Sequence, residues 1–579
     1  MSTEKKMTGY PSIDKPWLKH YTEEAINAQM PSGNMYEYIF ESNKGHLEDI
    51  ALVYFGKKIS YGELFLNIEK TVGAFKAIGV NAGDVVSFIS ITTPELVYCV
   101  YALNRIGAVA NMLDPRSPEK TLVSQIANAD SKVLVIMDQC IDLLRNSVKQ
   151  LMLDHIILIK VKTSMGFPVK QMYSIKTVFD KKNSRVSTCK YTEWKDFLKT
   201  SSAERDSLPV EVANSPAFIW YTGGTTGESK GVLLSNLNIN SVAEQYRLVA
   251  KEHARQQTWL TVSAPFVAYS LICGLHLPLA FGMTCCIELY DPGAMAETIV
   301  KKRYNHAAVT PIVWEKMIKN SKFANENLSF LIAPISGADY MSPKLEQEIN
   351  NYFATHNCTW NICQGYGMTE VGSGVAVCSS KDCYKPGSVG IPFPKTIIST
   401  FDVDNGQELP IGEIGEICVC GPSIMLEYYK NTEATNAVIK QHSDGMRWMH
   451  TGDCGRIDED GNLFITGRIK RMITRFDGFK IFPSSIEEKI MTHQAIEKCC
   501  VVGKKDSCSE GGQLPMAFFV IKKEIVTPYE NIIEEVRDIC KRELPEYAQP
   551  VDFIFIDKMP LTPIGKVDYR VLEKEAERL

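Results

Sequence analysis

The sequence lacks the features that mark several specialised classes of protein. It has no excess of basic residues, since 63 Lys and Arg stand against 68 Asp and Glu, with a formal net charge of −5 and a pI near 6.1. It also lacks local basic blocks, internal repeats and low-complexity segments. These absences exclude the charge pattern of a nucleic-acid-binding protein, as well as repeat arrays and disordered chains.

The 17 cysteines lack the spacing of a zinc site. There is no Cys-x-x-Cys pair and no Cys/His cluster along the chain, which indicates scattered, reduced thiols. The first residues, Met1 to Met7, lack the apolar core of a secretion signal. We therefore expect a soluble protein of the cytoplasm.

One long stretch lacks charge altogether. No Asp, Glu, Lys or Arg lies between Gln256 and Ile287, and a segment of this length could cross a bilayer. Prolines and glycines interrupt it, however, and it divides into a strand (259–263), a helix (267–280) and a second strand (283–289). The sequence therefore predicts part of an apolar core rather than a transmembrane segment, and contact with a membrane surface stays open.

The 579 residues exceed the length of one ordinary domain and carry the pattern of an α/β protein. A strand predicted over 83–89 and a helix predicted over 94–106 belong to an alternation that implies helices packed on a largely parallel sheet. A further strand is predicted over 330–335. Two overlapping capping boxes at Ser484-Ser-Ile-Glu-Glu488 predict a helix start in a separate C-terminal α/β domain.

The glycine-rich stretch from Tyr221 to Gly231 is the most informative segment. Apolar runs on both sides predict two strands joined by this loop. Its glycines let backbone N–H groups approach an anion, its threonines add hydroxyl donors, and its lysine adds a cation. It is not a Walker A loop, which needs Gly-Lys-Ser/Thr in succession before a helix. The sequence thus predicts a polyphosphate site made by Thr222, Gly223, Gly224, Thr225, Thr226, Gly227 and Lys230.

A second motif, Gln364-Gly-Tyr-Gly-Met-Thr-Glu370, combines an aromatic ring with a carboxylate. Gly365 and Gly367 flank Tyr366, so that the ring could lie against a flat ligand such as adenine. The oxygen atoms of Thr369 and Glu370 suit Mg²⁺. Taken alone, the motif leaves a structural loop and a binding loop equally open.

These motifs together resemble those of the adenylate-forming superfamily, which contains acyl-CoA synthetases, adenylation domains of peptide synthetases and luciferases. Thr451-Gly-Asp453, Arg468 and the segment Leu561-Thr-Pro-Ile-Gly-Lys566 extend the resemblance, which covers residues from about 220 to 570. It implies a large N-terminal AMP-binding domain over residues 1–469, with two parallel-sheet α/β subdomains and a small β subdomain. A small mobile α/β domain would follow over residues 470–579.

The resemblance also implies roles in nucleotide binding. Tyr366 would stack on adenine between Gly365 and Gly367, and the strand end at Gly337 and Ala338 would close over the other face. Thr369 would contact the α-phosphate and Glu370 would bind Mg²⁺.

Residues nearer the C-terminus gain roles from the same resemblance. Asp453 would bind the ribose hydroxyls, and Arg468 the ribose or the phosphates. Lys566 would bridge the substrate carboxylate and the α-phosphate, as a mobile point charge can. Lys470 matches the hinge of the family.

The implied reaction has two halves. A fatty or aryl acid attacks the α-phosphate of Mg·ATP and releases pyrophosphate, and the thiol of coenzyme A then takes the acyl group from the acyl-adenylate. The uncharged stretch between Gln256 and Ile287 predicts that amino acids are poor substrates, because an ammonium group would find no acidic partner there. Loading of an acyl carrier protein, a luciferase-like reaction and non-catalytic AMP binding stay open as alternatives.

The chain departs from the family pattern at five places. Gly223 and Ser229 stand where serine and proline are frequent, and one extra residue lies between Arg468 and Gly478. Thr474 stands where a lysine is often found, and the segment after Pro265 lacks the histidine of many acyl-CoA synthetases. These departures bear on the second half-reaction and on the entrance to the acyl pocket.

Overall fold

Helices and strands alternate along most of the chain, as the sequence pattern predicts. The structure, a computed structural model, describes residues 7–145, 147–167, 169–171, 190–201, 212–222, 229–378, 383–477, 479–506, 512–525, 527–561 and 567–579.

The strands are numbered in chain order. They are β1 Ile50–Tyr54, β2 Lys57–Ser60, β3 Val85–Ile89, β4 Val109–Leu113, β5 Val133–Met137, β6 His155–Ile159, β7 Thr192–Glu193, β8 Pro216–Thr222, β9 Lys230–Ser235, β10 Thr258–Val262, β11 Thr284–Glu288, β12 His306–Val309, β13 Ile335–Ser336, β14 Cys363–Tyr366, β15 Ala376–Val377, β16 Ile391–Pro392, β17 Ile397–Phe401, β18 Gly415–Cys420, β19 Glu427–Tyr428, β20 Ile439–Gln441, β21 Arg447–Ile457, β22 Leu463–Arg468, β23 Ile473–Thr474, β24 Lys480–Ile481, β25 Ile496–Lys505, β26 Gln513–Ile521 and β27 Asp552–Phe555.

In the described part of the chain, most of the α-helices lie between these strands, with three before β1 and one after β27. The α-helices are Pro11–Asp14, Glu23–Asn27, Met35–Asn43, Tyr61–Ala77, Pro94–Ile106, Glu119–Asn128, Trp194–Lys199, Asn236–Val249, Ala268–Leu271, Leu277–Ala280, Pro292–Lys302, Pro311–Ile318, Pro343–Thr355, Thr432–Val438, Pro483–Ile490, Tyr529–Glu543 and Tyr569–Ala576. Short 3₁₀ turns cover Pro16–His20, Asp138–Leu144, Val148–Gln150, Ser321–Phe323, Thr369–Val371, Ile469–Arg471 and Glu546–Ala548, and Ile272–His276 is a π-helical turn.

The chain divides into two compact units. One comprises Met1–Pro16, Ile398–Cys418 and His450–Leu579, and the other comprises Trp17–Ile397 and Val419–Met449. The boundary expected after residue 469 stays a prediction.

Two largely parallel sheets form the framework of the larger unit. The first has the strand order β19-β9-β8-β4-β3-β5-β6-β7, with parallel pairing from β8 to β7. The second has the order β16-β15-β14-β13-β12-β10-β11-β1-β2, with parallel pairing from β14 to β1 and antiparallel strands at both edges. The predicted fold class, with two parallel-sheet subdomains, is confirmed.

Helix Pro94–Ile106 shows how local sequence sets these elements. Thr93 accepts a hydrogen bond from the backbone N–H of Leu96, Pro94 occupies the first turn, and Gly107 ends the helix with φ +85°. Glycine tolerates this left-handed conformation. All residues of the helix except Arg105 are buried, and the bounds predicted from the sequence are confirmed.

Two sequence predictions are wrong in detail. Of the strand predicted over 330–335, only Ile335 lies in a strand, the two-residue β13, because Ala333 adopts φ +43° and breaks the extended conformation. The capping boxes at 484–488 do not form, since Pro483 already occupies the first turn and Phe482 is the N-cap residue. The Ser484 hydroxyl instead donates to the carbonyl of Thr466.

The uncharged stretch from Gln256 to Ile287 forms β10, a helical segment and β11, as predicted. The helical segment contains the π-helical turn, whose last residue, His276, is 1% exposed. Its Nδ1 atom lies 3.0 Å from the Tyr101 hydroxyl and its Nε2 atom lies 2.9 Å from Oδ1 of Asn240. No helix in the described part of the chain is long and apolar enough to span a membrane.

The described part of the smaller unit contains three β structures, of which the smallest is the antiparallel pair of β23 and β24. In the first, β18 lies between β17 and β21, and β22 pairs antiparallel with β21. In the second, β26 pairs antiparallel with β25 and parallel with β27. Helix Tyr529–Glu543 buries Ile532, Val536 and Cys540, which lie one helical turn apart, in a core beside this sheet.

The buried histidines predict loss of stability in acid. Burial lowers the pKa of His276 and of His306 to about 3, whereas in the unfolded chain a histidine titrates near about 6.5. The unfolded state therefore gains protons first as the pH falls below about 6.5, which costs about 2 kcal/mol for each such histidine at pH 5. We expect the thermal unfolding midpoint to fall between pH 7.5 and 5.

Two variants separate the contribution of the buried histidine to the pH dependence of stability from the contribution of the carboxylates. His306→Gln should reduce the dependence of the unfolding midpoint on pH, because glutamine takes no proton. His46→Gln, at an exposed position, should leave it unchanged. Equal slopes in the wild type and in His306→Gln would contradict the prediction.

Candidate active site

The hairpin of β8 and β9 carries the glycine-rich segment. Its strands pair antiparallel up to Thr222 and Lys230, which lie opposite each other at the open end. The Thr222 hydroxyl oxygen lies 3.5 Å from the Lys230 carbonyl oxygen. Lys230 is exposed, and its Nζ atom lies 4.8 Å from the centre of the Tyr428 ring. The two predicted strands are confirmed, and the segment 223–228 that joins them lies outside the described residues.

The carboxyl ends of β13 and β14 bring two predicted segments together. The strands are parallel neighbours, so that Ser336-Gly337-Ala338 lies beside Gln364-Gly-Tyr366. A β-carbon at Gly337 would lie 3.7 Å from the Gly365 carbonyl oxygen. Ala338 is exposed with φ +66°, an uncommon conformation for a residue with a side chain. Ligands of open α/β sheets bind at this edge.

Gly367 allows a close approach of two backbone segments. A β-carbon here would lie 1.8 Å from the carbonyl oxygen of Ser373, so that any side chain would force the loop apart. The chain then makes the 3₁₀ turn Thr369–Val371 and reverses at Gly372, whose φ is +68°. Gly367 is therefore required for the packing of this loop, in addition to the ligand access that the sequence predicts.

Glu370 is buried and held by a residue that sequence reasoning missed. Glu370 is only 5% exposed, and its Oε1 atom accepts a hydrogen bond of 2.9 Å from the hydroxyl of Tyr428. Tyr428 lies on β19, which pairs antiparallel with β9. Burial and the neighbouring Glu370 carboxylate raise the pKa of Tyr428. The tyrosine thus contacts both the predicted metal ligand and Lys230.

No local pattern could have identified Tyr428, because its role depends on the pairing of distant strands. The donor set around Glu370 fits Mg²⁺, since a carboxylate fixed by a neutral hydroxyl provides the oxygen ligand that this cation prefers.

Glu346 is a second residue that the sequence did not reveal. It is 2% exposed, and its carboxylate accepts hydrogen bonds from the Gln364 amide at 3.0 Å, the Tyr384 hydroxyl at 2.8 Å and the Gly387 N–H at 2.8 Å. Burial raises the pKa of Glu346. These bonds fix the strand that carries Tyr366.

Two buried hydroxyl oxygens near the strand ends have no hydrogen-bond partner among the described residues, those of Tyr269 and Ser336. A β-carbon at Gly337 would lie 3.8 Å from the Tyr269 oxygen. Buried hydroxyls are nearly always paired in folded proteins, so these two groups are positioned to hydrogen-bond a ligand.

The smaller unit holds the predicted ribose residue. Asp453 is 5% exposed and lies opposite Arg468 in the pairing of β21 and β22. Its Oδ1 atom is 2.6 Å from Nε of Arg468, whose side chain is 58% exposed. Gly452, with φ +71°, makes the turn before the aspartate. The predicted pair is therefore brought together within this unit.

The remaining predicted residues lie either in a short turn or outside the described part of the chain. Lys470 is exposed in the 3₁₀ turn Ile469–Arg471. Lys566 and Gly478 lie outside the described residues, as do Gly223, Gly224, Thr225, Thr226 and Gly227.

Comparison with known proteins covers nearly the whole chain. Residues 39–429 match the family described as AMP-binding enzyme, and residues 485–566 match the AMP-binding enzyme C-terminal domain. A long-chain-fatty-acid–CoA ligase of Bacillus subtilis (strain 168) is 26% identical, with 97% of this chain and 98% of the relative covered. A 4-coumarate–CoA ligase 5 of Oryza sativa subsp. japonica is 27% identical, with 92% and 93% covered.

The fold also matches solved structures. The crystal structure of the ATP-bound RpMatB-BxBclM chimera B1 has a TM-score of 0.80 and 24% sequence identity. The alignment covers 95% of this chain and 100% of the chimera.

The hydrogen bond from the Tyr428 hydroxyl to Glu370 predicts an effect of this tyrosine on the affinity for Mg²⁺. Tyr428→Phe removes the hydrogen bond to Glu370 and leaves the ring beside Lys230. A bond to a charged group contributes about 1.5–3 kcal/mol, so we expect the apparent affinity for Mg²⁺ in the presence of a non-hydrolysable ATP analogue to fall by about tenfold or more. Calorimetric titration measures this without turnover.

Tyr429→Phe is the matched control. The ring of this neighbouring tyrosine lies beside Nζ of Lys430, 5.2 Å from the ring centre, and within the described part of the chain its hydroxyl makes no hydrogen bond to Glu370, so this substitution should leave the affinity unchanged. If both variants bind Mg²⁺ and the analogue like the wild type, Tyr428 does not position Glu370.

Proposed function

The chain belongs to the family of AMP-binding enzymes, and we propose that it is an AMP-forming acyl-CoA synthetase. It activates a carboxylic acid as an acyl-adenylate with release of pyrophosphate and transfers the acyl group to coenzyme A. The observation that carries the proposal is the convergence of Lys230, Tyr428 and Glu370 at the open end of the predicted phosphate hairpin.

In the first half-reaction the acid attacks the α-phosphate of ATP. This step needs positioning and charge neutralisation more than acid–base chemistry. We assign Lys230 and the Thr222–Gly227 segment to the phosphates, Thr369 to the α-phosphate, and Glu370 to Mg²⁺. Bound Mg²⁺ would neutralise phosphate charge. Tyr428 keeps the Glu370 carboxylate in place.

The residues assigned to adenine lie at the carboxyl ends of β13 and β14. We assign Tyr366 to one face of adenine and Gly337 with Ala338 to the other, a reading supported by the parallel pairing of β13 and β14. Asp453 is assigned to the ribose hydroxyls, and the buried carboxylate offers two acceptor oxygens for them. Arg468 is assigned to the ribose or the phosphates.

The acid is proposed to be a fatty or aryl acid. The uncharged stretch from Gln256 to Ile287 offers an ammonium group no carboxylate, which disfavours amino acids. The names of the relatives, a long-chain-fatty-acid–CoA ligase and a 4-coumarate–CoA ligase, fit this class. Coenzyme A is the proposed acceptor, and an acyl carrier protein is the alternative acceptor to be tested.

We place the enzyme in the cytoplasm. Every cysteine that the structure describes is a free thiol, as is typical of a reducing compartment.

The proposal predicts acid-dependent exchange of pyrophosphate into ATP by the purified protein. Fatty and aryl acids should support exchange, and each α-amino acid should be slower than its des-amino analogue because its ammonium group would be desolvated without a partner. Thioester formation should then require coenzyme A.

A broad panel of acids that supports no exchange would exclude the synthetase and leave non-catalytic AMP binding. Exchange with thioester formation only on a carrier protein would exclude coenzyme A as the acceptor.

Separate measurement of the two half-reactions tests the roles of two lysines. Lys566→Ala should slow adenylate formation by about 10²–10³, the usual cost of a lost transition-state charge partner, and leave transfer from supplied acyl-adenylate nearly intact. Lys470→Pro should do the reverse, because proline fixes φ near about −65° at the proposed hinge.

Each variant is the control for the other, and Lys470→Ala controls for the loss of charge. Equal losses in both half-reactions would contradict the assignment for Lys566. Transfer to coenzyme A at the wild-type rate in Lys470→Pro would contradict the hinge.

A further inference from the structure

Three side chains of different chemistry converge in the smaller unit, away from the assigned phosphate and adenine residues along the chain. Glu416 and Cys418 lie two residues apart on β18 and therefore point to the same face of the strand. His450 reaches them from β21. Its Nδ1 atom lies 2.7 Å from Oε2 of Glu416 and 3.4 Å from Sγ of Cys418.

The Nδ1 atom of His450 can form a hydrogen bond with only one of its two neighbours, Glu416 or Cys418. If Nδ1 carries a proton, it donates to the carboxylate and cannot accept from the thiol. If it carries none, it accepts from the thiol and faces the carboxylate without a proton between them. A cation in place of that proton would attract all three atoms at once.

The donor set and the distances fit a tetrahedral zinc site. Zn–N bonds of about 2.0–2.1 Å and Zn–S bonds of about 2.3 Å place the nitrogen and sulfur ligands about 3.5 Å apart, close to the 3.4 Å between His450 and Cys418. The Glu416 oxygen would have to retreat by about 0.6 Å. Its side chain is 16% exposed, which leaves room to move and a side open to water.

We propose that Glu416, Cys418 and His450 form a binding site for Zn²⁺ or a similar borderline-soft divalent cation, with water in the fourth position. Thiolate and imidazole ligands select such metals over Mg²⁺, so this site is distinct in chemistry from the one assigned to Glu370.

The position of the site connects it to the turn before Asp453. Oε1 of Glu416 accepts a hydrogen bond of 3.1 Å from the N–H of Gly452. A metal that moves the carboxylate away from Nδ1 therefore also acts on the backbone of this turn.

Titration of the reduced, metal-free full chain with Co²⁺ tests the proposal. We expect saturable binding with a near-ultraviolet band from thiolate-to-cobalt charge transfer, which Zn²⁺ then abolishes by displacement. Cys418→Ser should remove the band and weaken Zn²⁺ binding by more than about tenfold, beyond the effect of most outer residues of metal sites.

Cys420→Ser is the matched control. Cys420 lies two residues beyond Cys418 on the same strand, but its sulfur lies 3.9 Å from Sδ of Met446 and outside the cluster of Glu416, Cys418 and His450. This variant should retain both the band and the affinity. His450→Gln, which keeps a polar group beside Glu416, should lose the band as well, and its thermal unfolding shows whether the unit is folded.

Absence of saturable Co²⁺ binding to the wild type would overturn the proposal and leave an ordinary Glu416–His450 ion pair. A band that persists in folded Cys418→Ser and His450→Gln would also overturn it, because the cobalt would then bind to other thiols.

Discussion

The hydrogen bond from the Tyr428 hydroxyl to the Glu370 carboxylate connects the two sheets of the larger unit at the candidate site. Tyr428 belongs to β19 on the sheet that carries the phosphate hairpin, while Glu370 follows β14 on the other sheet. A backbone hydrogen bond of 2.8 Å from the Met425 N–H to the Glu370 carbonyl supports the same connection. The buried carboxylate would be costly without such a partner. Binding groups for phosphate and for metal therefore depend on one shared contact.

The strand ends opposite this contact are shaped by backbone more than by side chains. Gly367 crosses close to Ser373, and Ala338 holds a left-handed conformation at the end of β13. The neighbouring hydroxyls of Tyr269 and Ser336 lack partners among the residues described. Uncommon backbone angles and unpaired polar groups are unfavourable in a protein without a bound ligand. Their clustering at one edge of a sheet is typical of a ligand site.

Much of the fold could be predicted from the sequence because the parallel strands are continuous apolar runs and the helix ends carry clear signals, as at Thr93 and Gly107. The strand over 330–335 failed because an apolar run does not reveal the left-handed turn at Ala333. The motif residues could be placed from local spacing. Tyr428 and the Glu416–Cys418–His450 cluster could not, since each depends on strands that pair across long distances in the sequence. Glu346 could not, since its role depends on how its helix packs beside the end of β14.

The π-helical turn at Ile272–His276 has a consequence for how this segment tolerates change in length. A π-helical turn contains one residue more than the α-helical turn it replaces, and each residue advances an α-helix by about 100°. Deletion of one residue there would restore regular α-helical winding but rotate His276 away from Tyr101 and Asn240. The segment can therefore be read as a helix that has accommodated an insertion, and a shortened version would need a different residue to fill the space between those two partners.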